Sequence, residues 1–322
     1  MNYIKDNGIM EKLPFWKFGG KSSSAEKYLF ENENGSGQML LYNVLPGLKL
    51  AVTELNGSTM NFYHHAVSGV MQVNYCLNGR MGWVMQGGRS IYLGQGDVSF
   101  HMMDCCTVSG ITLPLGHYSG IALFTDLNEL AQHLPETLNI PDENLPAWAE
   151  KFCRGGEVTV WPGAAEIADM FTLLPRVKSE YRQAYFKLKA QEILLFLAVY
   201  GVPHLKTAES CEKRYMEIIK RIHAQITGSW QAHYTIEQLA REYSINASAL
   251  KKVFKMVYGK PVAQYMKEYR MRKAAALLVA GSSSVAEIAT AAGYGSQSKF
   301  AAAFKQVMQL APSEYRMRYG KK

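Results

Sequence analysis

His64, His65, His101, Asp104, Cys105, Cys106 and His117 are among the side chains in the first half of this sequence that can ligate a metal or act as base or nucleophile. Their spacing argues against a shared site. A two-His-plus-carboxylate centre on a β-strand needs ligands two residues apart, so that both face one side, and His101 has no His at that distance. Adjacent His64 and His65 would point to opposite faces of any strand carrying them. Each is therefore expected to be satisfied separately or solvated, with Cys105 and Cys106 as small buried residues rather than a redox or metal sensor. Five cysteines, Cys76, Cys105, Cys106, Cys153 and Cys211, are an odd number without zinc-knuckle spacing, which suits a reducing compartment. No metal, no cofactor and no catalysis are expected.

Charge points to a different chemistry. Of the overall +8, residues 211–322 carry 19 Lys and Arg against 7 Asp and Glu, a surplus of 12, whereas residues 1–210 are mildly acidic at −4. A basic module joined to an acidic one implies a polyanionic partner for the former, nucleic acid before a membrane surface. The longest apolar run, Ile193 to Val202, is about half of a bilayer span, and the first residues lack an apolar signal core, so the expected location is cytoplasmic.

The elements divide in the same place. At 322 residues the chain predicts two domains. Residues 1–36 read as loop or loosely attached strand. From 39 to 125 short runs rich in Val, Tyr, Leu and Met alternate with turn signals: Asn78-Gly79 between VNYCL and MGWVM, Gly87-Gly88 before RSIYL, and GQGD at 94–97 before VSFHMM. These read as hairpins of a β-sandwich or small barrel. Residues 178–200 then place Tyr181, Tyr185, Leu188 and Leu195, with Phe196 and Tyr200 on an adjacent row, at helical steps. That face packs either on its own β-domain or on a second copy. Residues 201–210, GVPHLKTAES, read as a linker.

A pattern is written twice in the basic third. Thr235 with Gln238, and Ser284 with Glu287, have the spacing of a capping box, and apolar residues follow each at helical steps. A tight turn comes next, EYSIN in one copy and AGYGS in the other. A second helix follows, with Leu250, Val253, Phe254 and Val257 as its buried face in the first copy and Phe300, Phe304, Val307 and Met308 in the second. Two helix-turn-helix units result. Between them Gly259, Pro261 and Gly281 bound a helix over 261–280, which spans roughly 30 Å, close to the ~34 Å between successive major-groove faces on one side of B-DNA.

Residues 211–322, with this helix order and the closing run AAGYGSQSKFAAAFKQVMQLAPSEYR, resemble the DNA-binding domain of AraC/XylS-type transcriptional regulators. The resemblance implies recognition helices at 246–258 and 296–308. It sets Asn246, Ser248, Lys251 and Lys252, and Ser296, Gln297, Ser298 and Lys299, against DNA. Those residue types suit base and phosphate contact, since Lys donates to guanine, Gln pairs with adenine, and Ser is permissive. Ala302 stands where many relatives carry Arg, so strong guanine readout lacks a donor there. Lys255 and Lys305 read as phosphate-contacting or solvent-facing residues, and Arg270, Arg272 and Lys273 on the linking helix as ion-pair or phosphate residues.

The same resemblance implies a cupin-like N-terminal β-barrel that binds a small effector, followed by dimerising helices. NYCLNGRMGW, YLGQGDVSFHMMD and YFKLKAQEILLFL are similar to the branch containing siderophore-responsive regulators. Tyr75, Arg80, Trp83, Met85 and His101 are the candidate effector contacts. The methionines Met71, Met81, Met85, Met102 and Met103 could line an adaptable pocket or simply fill a core. Arg80 and Arg89 could meet an anionic effector or solvent. Tyr181, Tyr185, Leu188 and Leu195 are the candidate dimer contacts.

The expectation is an α+β protein: an effector-binding, dimerising domain over 1–200, a linker over 201–210, and an all-α DNA-binding domain over 211–322. Its partners are double-stranded DNA, a small effector, a second copy and, if it activates, RNA polymerase, with no membrane. A cupin metalloenzyme with a DNA-binding tail and a non-specific DNA architectural protein are the competing readings.

Overall fold

A computed structural model describes residues 10, 13–22, 24–60, 66–85, 88–104, 108–140, 144–202, 204–281 and 283–320. The chain divides into two compact units, Met1–Glu212 and Lys213–Lys322.

The described strands of the first unit are β1 (Lys17–Lys21), β2 (Glu26–Asn32), β3 (Gly35–Leu45), β4 (Leu48–Gly57), β5 (Thr59–Met60), β6 (Val70–Met85), β7 (Arg89–Gly94), β8 (Val98–Met102), β9 (Val108–Thr112), β10 (His117–Asp126), β11 (Thr159–Trp161), β12 (Lys206–Thr207) and β13 (Cys211–Glu212). Their order is β1-β2-β3-β4-β10-β6-β8-β11-β12, with β7 and β9 joining the far half of β6. Successive residues in the middle of β10 alternate between two cores, and this is why 121–124 is apolar without a break. Ile121 and Leu123 face one, Ala122 and Phe124 the other.

Helices α1 (Leu127–Gln132), α2 (Asn144–Phe152), α3 (Ala165–Thr172) and α4 (Arg182–Tyr200) cover the first of those faces. Phe100 stacks on Phe152 of α2 at 5.2 Å, and Tyr75 stacks on Phe171 of α3 at 4.7 Å. Helix α4 buries Phe186, Ala190, Ile193, Leu194 and Leu197. Its outer side exposes Leu188 and Leu195 by 66 and 41%, in line with its N-cap Tyr181 at 63%, while Tyr185 is half-buried. These apolar outer residues recur every seven positions.

Two expectations differ from the observed chain. Asn78-Gly79 is not a hairpin turn, because β6 runs unbroken from Val70 to Met85. Gly79 does take a positive φ of 78°, but as part of a bulge: Asn78 pairs with Ser119 and Cys76 with Gly120, leaving Leu77 as the extra residue. An Asn-Gly pair serves a bulge as well as a turn, since both need left-handed backbone. Beyond the bulge β6 leaves β8 and pairs with β7 and β9. The segment read as a linker, 201–210, is also partly sheet, with β12 hydrogen-bonded to β11; β13, just after it, pairs with β7, and the boundary between units falls after Glu212.

The second unit is all-helical: α5 (Lys213–Gly228), α6 (Ile236–Glu242), α7 (Ala247–Tyr258), α8 (Val262–Ala280), α9 (Val285–Ala291), α10 (Gln297–Met308) and α11 (Pro312–Tyr319). Both capping boxes are formed, Thr235 with Gln238 and Ser284 with Glu287. Helix α8 is stopped by Gly281 at φ 81°.

Rotation of about 100° per residue sets Val262, Tyr265 and Met266 of α8 on one side and Met271, Ala274, Ala275 and Leu278 on the other. The first set packs with α5 and α7, the second with α9 and α10. One helix thus offers opposite faces to two three-helix heads.

Candidate nucleic-acid interface and N-terminal cavity

Each head carries a helix whose first turn is exposed. On α7, Ser248, Lys251, Lys252 and Lys255 are exposed, opposite buried Leu250, Val253, Phe254 and Val257. On α10, Gln297, Ser298, Lys299, Ala302 and Lys305 are exposed, opposite buried Phe300 and Phe304. Lys251, Lys255, Lys299 and Lys305 have no carboxylate partner among the described residues. Cations left free at a helix surface are suited to phosphates or guanine edges.

Asn246 and Ser296 are placed differently from the rest. Asn246 is the N-cap of α7, its Oδ1 accepting from the backbone N–H of Ser248 at 2.8 Å, and Ser296 is the N-cap of α10, its Oγ accepting from Lys299 N–H at 3.3 Å. Both side-chain oxygens are occupied in starting the helices that carry the other candidates.

The two turns share one geometry. Ile245 N–H donates to Ala240 O and Tyr294 N–H to Ala289 O, each at 3.0 Å. The residue before each is left-handed, Ser244 at φ 49° and Gly293 at φ 79°. A Cβ on Gly293 would lie 2.6 Å from the carbonyl oxygen of Gln231, in the loop of the first head. His233 in that loop meets the Gly293 carbonyl at 3.1 Å.

Arg270 completes this contact. Instead of facing phosphate or an acidic partner, it is 9% exposed and donates to the carbonyls of Trp230 and Ala232, both at 2.7 Å. The heads are therefore joined by α8 and also by a loop locked against the second turn. Sequence reasoning placed Arg270 outward. The missed signal is its position about 80° from Val262, between the two apolar faces of α8.

His223 lies inside the first head, its ring stacked on Tyr258 at 4.3 Å and its Nε2 2.8 Å from the Tyr265 hydroxyl. Burial lowers its pKa from 6.5 to about 4. The unfolded chain then binds the proton more readily, so this contribution to stability is complete above about pH 6.5 and is lost as pH falls through about 4. Because the ring is part-exposed, we expect a discounted loss of roughly 2 kcal/mol. Replacing His223 with Phe should remove that part of the pH dependence, measured by urea unfolding between about pH 7 and pH 4.

In the first unit a cavity of about 100 Å³ is lined by Trp83, His101, Gln72, Asn74, Met81 and Phe124, among others, and by Phe15 and Trp16. Of the candidate effector contacts it collects Trp83 and His101, whose rings are 6.2 Å apart. Tyr75 faces the helices instead. The bulge at Leu77 explains the split: Gln72 and Asn74 precede it, Met81 and Trp83 follow it, and the odd and even positions exchange faces across it. Met85 is half-buried beside Trp83 without lining the cavity.

Arg80 lies over the Tyr92 ring at 5.9 Å, with Asp97 close by. It too lies outside the lining. Burial pushes the Cys76 thiol up to about 12, so it is no nucleophile near neutrality. Among the described residues no three His, Cys, Asp or Glu side chains come together, and no helix is long and apolar enough to cross a membrane. His64, His65, Cys105 and Cys106 lie outside the described residues.

Lys251 and Gln297 give the interface its test. Replacing Lys251 with Ala should reduce the slope of log affinity against log salt by about 1, uniformly across sequences. Replacing Gln297 with Ala should cost about 1–3 kcal/mol at one base pair and relax preference there. Fluorescence anisotropy across a salt series reads both.

Comparison with known proteins places this unit. A helix-turn-helix domain family model matches residues 239–318. The HTH-type transcriptional activator RhaR of Mannheimia succiniciproducens is 29% identical over 119 residues, 36% of this chain and 43% of its own. A putative AraC-like transcription regulator of Streptomyces lividans is 31% identical over 121 residues, 38% and 35% of the two chains. Among solved structures, the C-terminal domain of AraT, a response regulator from Geobacillus stearothermophilus, is 28% identical over 33% of this chain and 88% of that one, with a TM-score of 0.32. The match thus spans about two fifths of the length of the curated relatives. On those sequence matches the C-terminal unit of this chain is an AraC-type helix-turn-helix DNA-binding domain.

Proposed function

We propose that this protein is a sequence-specific transcription regulator whose DNA affinity answers to a small molecule held in its N-terminal unit. The carrying observation is the pair of capped heads with exposed first turns, fixed to one helix and to each other. At about 1.5 Å per residue the 19 residues of α8 span about 28 Å, near the ~34 Å between successive major-groove faces. In this reading α7 and α10 enter successive grooves through Ser248, Lys251, Lys252, Gln297, Ser298 and Lys299. Asn246 and Ser296 hold the helix starts.

The N-terminal unit, over 1–212, is proposed as a cupin-like barrel whose ligand occupies the cavity of Trp83 and His101. The outer row of α4, Tyr181, Leu188 and Leu195, supports a homodimer seam, because a second apolar face on a helix already packed on one side is costly to leave in water. Effector binding would shift the population of dimers able to hold two half-sites. RNA polymerase enters as a partner if the output is activation.

Selection from a random DNA library at about 0.15 M salt tests the reading. It should return a two-part motif with centres about one helical turn apart, bound at least ~10³-fold over bulk DNA. A protein that enriched no motif would instead be an architectural binder.

A further inference from the structure

The cavity lining constrains what the first unit can hold. Lys, Arg, Asp and Glu are absent from it among the described residues, and its walls are largely Trp83, Met81, Phe15, Trp16 and Phe124. Arg80, the cation that could have met an anion, is turned towards Tyr92 and Asp97. With the His101 imidazole neutral, a carboxylate or phosphate here would lose its water and gain no ionic partner, which costs several kcal/mol.

The polar atoms present are matched to a neutral group. Gln72 Nε2 donates to Asn74 Oδ1 at 2.7 Å, and Asn74 Nδ2 donates in turn to Ser99 Oγ at 3.2 Å. Asn74 is 3% exposed and both of its amide atoms are engaged, so the chain is fixed from within. Its outer end is the Gln72 carbonyl oxygen, which accepts from none of the described residues. A part-buried acceptor left open at the cavity wall is suited to a ligand that donates.

We propose that the ligand of this cavity is an uncharged, largely apolar molecule, aromatic or aliphatic, that donates a hydroxyl or N–H hydrogen bond to Gln72 and lays its body against Trp83 and Met81. The inference rests on the effector reading above and narrows it to a chemical class. It also sets aside an anionic effector, the role open to Arg80 from sequence alone.

Matched probes test it on the full chain by titration calorimetry at about pH 8, where an ordinary imidazole is neutral. The pairs are naphthol against naphthoate and octanol against octanoate. Each alcohol should bind at least about tenfold tighter than its carboxylate. Gln72→Leu should weaken the alcohols about five- to tenfold, Trp83→Ala should weaken every probe that binds, and Gln72→Arg should reverse the order within each pair. Thermal unfolding establishes that each variant is folded, and the wild-type comparison stands without them. Carboxylates binding as tightly as alcohols, with Trp83→Ala weakening both, would overturn the neutral class and leave the effector site standing. No binding by either member of either pair would overturn the effector site and the neutral class together.

Discussion

Replacing Arg270 with Met is expected to destabilise the DNA-binding unit by about 3 kcal/mol and to weaken binding to a two-part DNA site by roughly 10- to 100-fold. The guanidinium is 9% exposed and forks between the carbonyls of Trp230 and Ala232 at 2.7 Å each. Charge-assisted hydrogen bonds of this kind contribute about 1.5–3 kcal/mol apiece, and Met retains much of the packing volume, so the loss is chiefly two carbonyls left without donors. Burial lowers the Arg270 pKa, yet an arginine remains charged throughout the accessible pH range.

The functional loss has its own origin. The loop that Arg270 holds also places His233 on the Gly293 carbonyl and Gln231 beneath the second turn. Freed, that loop no longer fixes one head against the other, and ordering the pair on DNA then draws on binding free energy. Binding to a single half-site should change far less. Lys at 270 should recover less than half of the loss, since an ammonium lacks the planar fork. Urea unfolding and anisotropy on one-part and two-part duplexes measure the two effects. Equal weakening on both duplexes would show that Arg270 supports the fold without coupling the readers.

Legibility differed sharply between the two units, and the cause is the range of the interactions. In the second unit the defining bonds are local: Thr235 to Gln238 and Ser284 to Glu287 lie within one turn, so the sequence displays cap, helix and stop directly. The exposed phase of Lys251 and Gln297 follows from the same periodicity. Arg270 was misread because its partners lie 38 and 40 residues away. In the first unit the decisive feature is one extra residue. Leu77 has no partner in β10, and with it the side-chain parity of β6 inverts, dividing Tyr75 from Trp83. Asn78-Gly79 announces left-handed backbone but not whether the chain turns back or only kinks. Likewise Arg80 is displaced from the cavity by Asp97 and Tyr92, neighbours that only tertiary structure supplies.

Gly120→Ala should be the most damaging small substitution in the first unit, lowering its stability by about 3–4 kcal/mol and abolishing probe binding. Gly120 sits in β10 where the buried Tyr118 ring folds back along the strand. An added Cβ would lie 2.0 Å from Tyr118 Oη and 2.8 Å from the Tyr75 carbonyl oxygen. The Tyr75 oxygen is backbone and cannot give way, and Tyr118, only 4% exposed, can move only into the cavity that its ring lines. Both residues line the cavity, so any rearrangement that admits the methyl group reshapes the site. Pairing the change with Tyr118→Leu removes the obstructing ring, and the double variant should be less destabilised than the two single losses added together. Calorimetry of the full chain should record the first unit's transition falling by many degrees while that of the DNA-binding unit, which has a core of its own, stays in place. An unchanged first transition for Gly120→Ala would mean that Tyr118 is not held where its ring closes the cavity wall, and the shape on which the ligand argument depends would have to be redrawn.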